Sequence, residues 1–279
     1  MAPSREHLEA LTSTDVTEAI PPETYLPVLT SAPFIPTTSI INLRDAGAVP
    51  GSNLPSARFY RSGMLAAAVN DQQALDWLGG NVKRIFDLRT PQERLIYPDP
   101  EVEGIENIWY EEQGKYPDPN VGDFAAEGGR KAWKELFMCV TESYRPVFRA
   151  VLEHIRDRPA EPILFHCTAG RDRTGLLAGL LQTLAGSPKD AIILDYMLSR
   201  VGTEPARDKL KAFAMKGSGA ESEEAPGFKE MCDLSPRYFE ALEEGMEENY
   251  GGWEGYVTSD DGLSLSKEDL EQVKRNLRS

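Results

Sequence analysis

The chain has 279 residues, 41% of them apolar, and a formal net charge of −15; it is long enough for one large core, and its charge argues against nucleic acid or an anionic membrane as a general partner. No apolar run approaches the roughly 20 residues that cross a bilayer, and Met1 to Ala10 holds no apolar leader, so neither a membrane anchor nor export is expected. Cys139, Cys167 and Cys232 show neither paired nor zinc-ligand spacing, which sets the expectation of a reducing, cytoplasmic compartment and of no metal or other cofactor.

Residues 1–38 read as a partly irregular N-terminal extension. Pro21, Pro22, Pro27, Pro33 and Pro36 preclude a long helix there, while Tyr25, Leu26, Val28, Leu29, Phe34 and Ile35 offer apolar surface for packing. Residues 40–43 and 58–60 read as short strands able to pair antiparallel. A short helix over 72–78, stopped by Gly79 and Gly80, precedes a strand over 82–88. Asp87 and Arg89 sit at the carboxyl end of that strand, where α/β sheets bind ligands, although a structural ion pair or turn explains them equally well. Another strand is expected over 104–110. The polar stretch 111–129 is long for a connection, and Tyr-Pro-Asp-Pro occurs both at 97–100 and at 116–119. Trp133, Leu136, Phe137 and Val140 have helical spacing, as do Tyr144, Val147, Phe148, Val151, Leu152 and Ile155, with His154 expected at the surface.

Next comes Pro-Ile-Leu-Phe-His-Cys-Thr-Ala-Gly-Arg-Asp-Arg-Thr-Gly, residues 162–175: an apolar strand, a tight polar loop and the start of an apolar helix. A loop feeding a helix N-terminus leaves consecutive N–H groups unpartnered and directed at one spot, which suits an anion. Arg173 can grip two phosphate oxygens with its planar fork. Cys167 stands at the loop entrance, where the helix N-terminus, Arg171 and Arg173 all favour a thiolate. A cysteine after an apolar strand is most often a small buried hydrophobe; the whole ensemble of His166, Cys167, Gly170, Arg173 and Thr174 points to chemistry instead.

Leu176, Leu177, Leu180, Leu181 and Leu184 then describe a buried helix backing the loop. Ser187, Pro188 and Asp190 mark the start of a helix bearing Ile192, Ile193, Tyr196 and Met197. Residues 202–233 have weak periodicity and read as an insertion or lid. Helices starting near Ser235 and Ser266 complete an α-helical C-terminal subregion. Between Glu221 and Glu254 eleven residues are acidic and two basic, a solvated face to which no role is assigned.

The loop resembles the cysteine-dependent protein tyrosine phosphatase superfamily, whose signature is His-Cys, five residues, Arg and Ser or Thr. Asn42-Leu43-Arg44-Asp45, Tyr60-Arg61-Ser62-Gly63, Asp87-Leu88-Arg89-Thr90 with Glu93-Arg94, and Asp195-Tyr196 are similar to the atypical bacterial and fungal tyrosine/serine, or triple-specificity, branch. Arg171 stands where that branch commonly has Lys. The resemblance implies one α/β domain over 39–279, a central mainly parallel sheet flanked by helices. It also implies that 111–129 covers the site and that Asp87 and Arg89 lie near the phosphate loop.

The chemistry expected is attack by Cys167 on a phosphate monoester, with Arg173 and the loop amides of Thr168, Ala169, Gly170, Arg171, Asp172 and Arg173 holding the oxygens. His166 would orient the loop and Thr174 would donate a proton to the departing thiolate. Arg171 would offer a second cation at the rim. Resemblance assigns the general acid to Asp172, while Asp118 and Asp123, in the flexible stretch before the catalytic strand, are the alternatives. Phosphotyrosine proteins are the first substrate class expected, followed by phosphoserine/threonine proteins and phosphoinositides. A small-metabolite or nucleotide phosphatase and an inactive phosphate-binding module are the competing readings.

Overall fold

The computed structural model describes residues 3–279. Ser4 caps helix α1 (Arg5–Thr12) by accepting from the His7 amide, and Pro22 opens α2 (Pro22–Leu29). The prolines exclude only a long helix, and each of these two is eight residues long. Leu8, Ile20, Val28 and Phe34 bury against Leu194, Leu198 and Val201, and this apolar contact offsets the entropy of ordering the segment.

Strand β1 (Arg44–Asp45) pairs antiparallel with β2 (Phe59–Ser62). The expected strand over 40–43 does not form, because Asn42 has φ 59°, a left-handed conformation incompatible with extended backbone. Helix α3 (Gln72–Asn81) runs through Gly79 and Gly80 rather than stopping at them. Strand β3 (Arg84–Asp87), helix α4 (Pro91–Ile96) and strand β4 (Glu106–Ile108) follow, and stretch 111–129 folds as three short 3₁₀ turns. Two amphipathic helices, α5 (Arg130–Ser143) and α6 (Arg145–Asp157), then lead to β5 (Ile163–His166) and α7 (Asp172–Leu184).

The five strands run in the order β1-β2-β5-β3-β4, and every pair but β1–β2 is parallel. Side chains alternate between two cores, as a period of two requires. Phe59, Phe86, Ile163 and Phe165 face Phe137, Phe148 and Leu177, whereas Tyr60, Ile85 and Leu164 face Leu65 and Leu78. Burial on both faces explains why β5 is apolar from Ile163 to Phe165, up to His166 at its end. His154 is not a surface residue: it is 4% exposed, with its ring edge-on to Phe86 at 6.0 Å.

The C-terminal part is helical: α8 (Lys189–Met197), α9 (Ser199–Gly202), α10 (Arg207–Ser218), α11 (Phe228–Cys232), α12 (Pro236–Tyr250), α13 (Trp253–Thr258) and α14 (Lys267–Asn276). Ser187 does not cap α8; its Oγ accepts from the Asn53 amide instead. Stretch 202–233 contains α10 and α11 and so has more regular structure than its weak periodicity suggests. α12 packs along α5, where Tyr238 meets Trp133 at 5.6 Å between ring centres.

Candidate active site

Residues 167–171 form the loop between β5 and α7. Its curvature depends on Gly170, which has φ +67°; a Cβ there would come within 2.3 Å of the Ser62 carbonyl. The adjoining strand ends hold the loop by its carbonyls: the Leu88 amide donates to His166 O at 2.7 Å and the Met64 amide to Thr168 O at 3.0 Å. In contrast, none of the amides of residues 168–173 donates to a backbone carbonyl among the described residues. Those donors open a 13-residue helix, so the end of its dipole adds to their pull on an anion.

Cys167 lies at the loop entrance and is 2% exposed. Arg173 is fixed by a bidentate pair with Glu93, Nη1 to Oε2 at 2.6 Å and Nη2 to Oε1 at 2.7 Å. Its Nη1 also donates to Leu88 O at 3.1 Å and to the Tyr144 hydroxyl at 3.4 Å, and Tyr116 stacks at 5.0 Å. These bonds use Nη1 and Nη2, so the Nε edge of the fork has no protein acceptor among the described residues. Burial pulls the guanidinium down, but Glu93, Tyr144 and Cys167 outweigh it and hold it well above the ordinary arginine value. Burial likewise pushes the Glu93 carboxyl up, while Arg173, Thr168 and the Thr90 amide bring it down to about 2. Arg173 therefore stays charged and Glu93 ionised.

Behind the loop, His166 Nε2 is 3.1 Å from Asp99 Oδ2 and 3.8 Å from Asp87 Oδ1, while Nδ1 is 3.4 Å from Cys167 O. Asp87 and Arg89 turn out to be both an ion pair and neighbours of the loop. Arg89 bonds Asp87 and Asp99 at 2.8 Å each, and Arg94 bonds Asp87 at 2.9 Å. Burial raises the Asp99 carboxyl, but His166, Arg89 and Arg94 bring it below the usual carboxylate range. Asp87, Asp99 and His166 each place a ligand atom within 4.8 Å of the others, yet the two guanidiniums already occupy these carboxylates. That donor set is compensated by cations of the chain and does not suit a further metal cation.

Arg171 differs from expectation. Its side chain turns from the rim onto α11, donating to Cys232 O at 2.5 Å and Met231 O at 3.0 Å, with Nε on Asp172 Oδ1 at 2.8 Å. Trp133 stacks on it at 5.5 Å. Only its amide remains with the other loop donors. Asp172 itself keeps 24% side-chain exposure. Thr174 Oγ1 is buried without a hydrogen-bond partner among the described residues, the thiol of Cys167 included. Asp118 and Asp123 are exposed.

Three residues without a role in the sequence reading join the site: Glu93, Asp99 and Tyr116. Glu93 also closes the Thr90 capping box, a helix-start signal that explains its presence without chemistry. The doubled Tyr-Pro-Asp-Pro was the clue to the others, since its first copy supplies Asp99 and its second Tyr116. Gln113 ties the covering turn down, donating from Nε2 to Asp87 O at 2.9 Å and Arg89 O at 3.0 Å.

The tyrosine phosphatase family model matches residues 35–279. The chain is 29% identical over 236 residues to a tyrosine-protein phosphatase of Nostoc commune, covering 80% of this chain and 75% of that one. To the triple specificity protein phosphatase PtpB of Mycobacterium tuberculosis it is 28% identical over 110 residues, 37% of this chain and 40% of the relative. With the family matched from the N-terminal segment to the last helix and the loop built as described, the chain belongs to the tyrosine phosphatase family, in its atypical branch.

Proposed function

We propose that this protein is a cysteine-dependent phosphatase acting first on phosphotyrosine in proteins. The observation that carries the reading is the set of loop amides 168–173 without backbone partners among the described residues, in one loop with Cys167 and with Arg173, whose pair with Glu93 uses only Nη1 and Nη2. The thiolate attacks phosphorus, forming the S–P bond as the ester P–O bond breaks, and the departing oxygen takes a proton from the Asp172 carboxylic acid. Water then attacks phosphorus, giving a proton to the Asp172 carboxylate as the S–P bond breaks and the thiolate leaves. Thr174 Oγ1, buried and without a partner among the described residues, is available to donate to that thiolate. The amides and Arg173 stabilise the equatorial oxygens throughout. Tyr116 stacked on Arg173 forms a wall of the site, an aromatic surface suited to a phenyl phosphate.

The test is a panel of phosphotyrosine, phosphoserine and phosphothreonine peptides, inositol phospholipids, nucleotides and sugar phosphates, each with and without EDTA. The expected result is fastest turnover of phosphotyrosine peptides, unaffected by chelator. Preference for a nucleotide or metabolite would replace the substrate assignment, and absence of turnover alongside phosphopeptide binding would favour a binding module.

A further inference from the structure

Beneath the phosphate loop, on the side away from the amides, lies a cluster of charged and polar side chains. Arg44 and Arg61 are both 0% exposed and Asp195 is 1% exposed. Asp195 bridges the two, accepting from Arg44 Nε at 2.8 Å and from Arg61 Nη1 at 2.6 Å. Arg44 Nη2 also donates to Asp195 O at 2.7 Å and to Ser199 Oγ at 3.1 Å, and its Nη1 to Asn42 O at 3.2 Å and to Asn42 Oδ1. Two guanidiniums thus share one carboxylate, a buried excess of positive charge.

The cluster reaches the loop through two residues. Asn42 Nδ2 donates to Ala169 O at 3.1 Å and Gly170 O at 2.8 Å, and Arg61 Nη2 donates to Gly170 O at 3.0 Å and Arg171 O at 3.4 Å. Together with the Leu88 and Met64 amides, and with Gly175 N on Arg171 O at 2.7 Å, these donors engage the carbonyls of His166, Thr168, Ala169, Gly170 and Arg171. A peptide plane cannot flip while its oxygen is so held, and its amide points the opposite way. The left-handed backbone of Asn42, φ 59°, brings its short side chain to this position.

We propose that Asn42 and Arg61 are positioning residues of the phosphate site. They clamp the carbonyls of residues 169–171 so that the loop amides stay aimed at the transferring phosphoryl group, while the Arg44–Asp195–Arg61 cluster supplies uncompensated positive charge below it. This rests on the phosphatase reading above. Donors fixed before the anion arrives cost no reorganisation when charge shifts in the transition state.

Orthovanadate, a five-coordinate mimic of that state on the thiolate, is the probe, with inorganic phosphate as the ground-state comparison. Asn42→Gly removes the clamp yet tolerates the positive φ, Arg61→Lys keeps a cation opposite Asp195 but loses the fork, and Ser199→Ala disturbs the same cluster without touching the loop. Each is assayed well below its own melting temperature. Expected are a loss of vanadate affinity and of kcat of about tenfold or more in the first two variants, a smaller loss for phosphate, and changes within about twofold in Ser199→Ala. The proposal is overturned if folded Asn42→Gly or Arg61→Lys matches wild type, if vanadate and phosphate weaken equally, or if Ser199→Ala loses as much as they do. Wild-type protein that neither hydrolyses phosphate monoesters nor binds either anion would instead sink the phosphatase reading itself. If one clamp variant does not fold, the other decides.

Discussion

A serine hydroxyl at position 167 is a far weaker nucleophile than sulfur, so Cys167→Ser should lose turnover by roughly three orders of magnitude or more. It should still bind phosphopeptide, measurable by calorimetry. Activity near that of wild type would remove Cys167 from the nucleophile's role. For the general acid, Asp172→Asn should slow an alkyl phosphate far more than p-nitrophenyl phosphate, whose leaving group needs no proton, and should abolish the high-pH arm of the rate profile. If Asp118→Asn or Asp123→Asn shows this pattern and Asp172→Asn does not, the acid comes from the covering turns. Arg171 shows why residue type alone does not fix a role. Its charge and place in the motif suggested a second phosphate contact, yet the guanidinium is satisfied by two main-chain carbonyls of α11 and by Asp172.

At the scale of elements, Arg171 fastens the loop to the end of stretch 202–233. Arg171→Ala should free that end at a cost of about 2 kcal/mol, since it leaves two carbonyls without their donors. Hydrogen exchange over 228–233 should accelerate, and kcat/KM should fall by similar factors for aryl phosphate and for an inositol phospholipid. A loss confined to the lipid would restore the rim role. Helix α4 offers a second test through pH. The Glu93 carboxyl is brought from an ordinary 4.5 to about 2, chiefly by Arg173 working against burial. A lowered carboxyl contributes stability that is fully present above the unfolded value and is lost as pH falls through the folded one. Glu93→Gln should therefore be less stable at pH 7 by on the order of 3 kcal/mol in chemical denaturation, with the deficit narrowing from pH 5 downward as wild type loses its pair. A deficit that does not change with pH would assign Glu93 to packing rather than charge.

For the whole molecule, periodicity and loop chemistry already specified an α/β chain with helices leading into β5, a helix leaving the phosphate loop, and a helical C-terminal part. These are local properties: three consecutive apolar residues in a strand, a glycine that must turn, leucines at helical spacing. Cys167, Arg173 and the loop amides belong to one contiguous motif, so their juxtaposition was also legible. Sequence alone placed a strand over 40–43 because apolar β-branched residues favour one, whereas the left-handed turn at Asn42 exists only because its side chain and Arg44 find partners on the loop and on α8. The same holds for His154, whose burial depends on the sheet face below α6, and for Glu93, Asp99 and Tyr116, which reach Cys167's neighbours from 51 to 74 residues earlier in the chain. What the sequence determined by itself was the anion loop and the periods of its elements, because both are encoded within a few turns of chain. Only the tertiary structure decided which charges compensate which, since that depends on distances between elements far apart in sequence and on the low dielectric that burial creates around them.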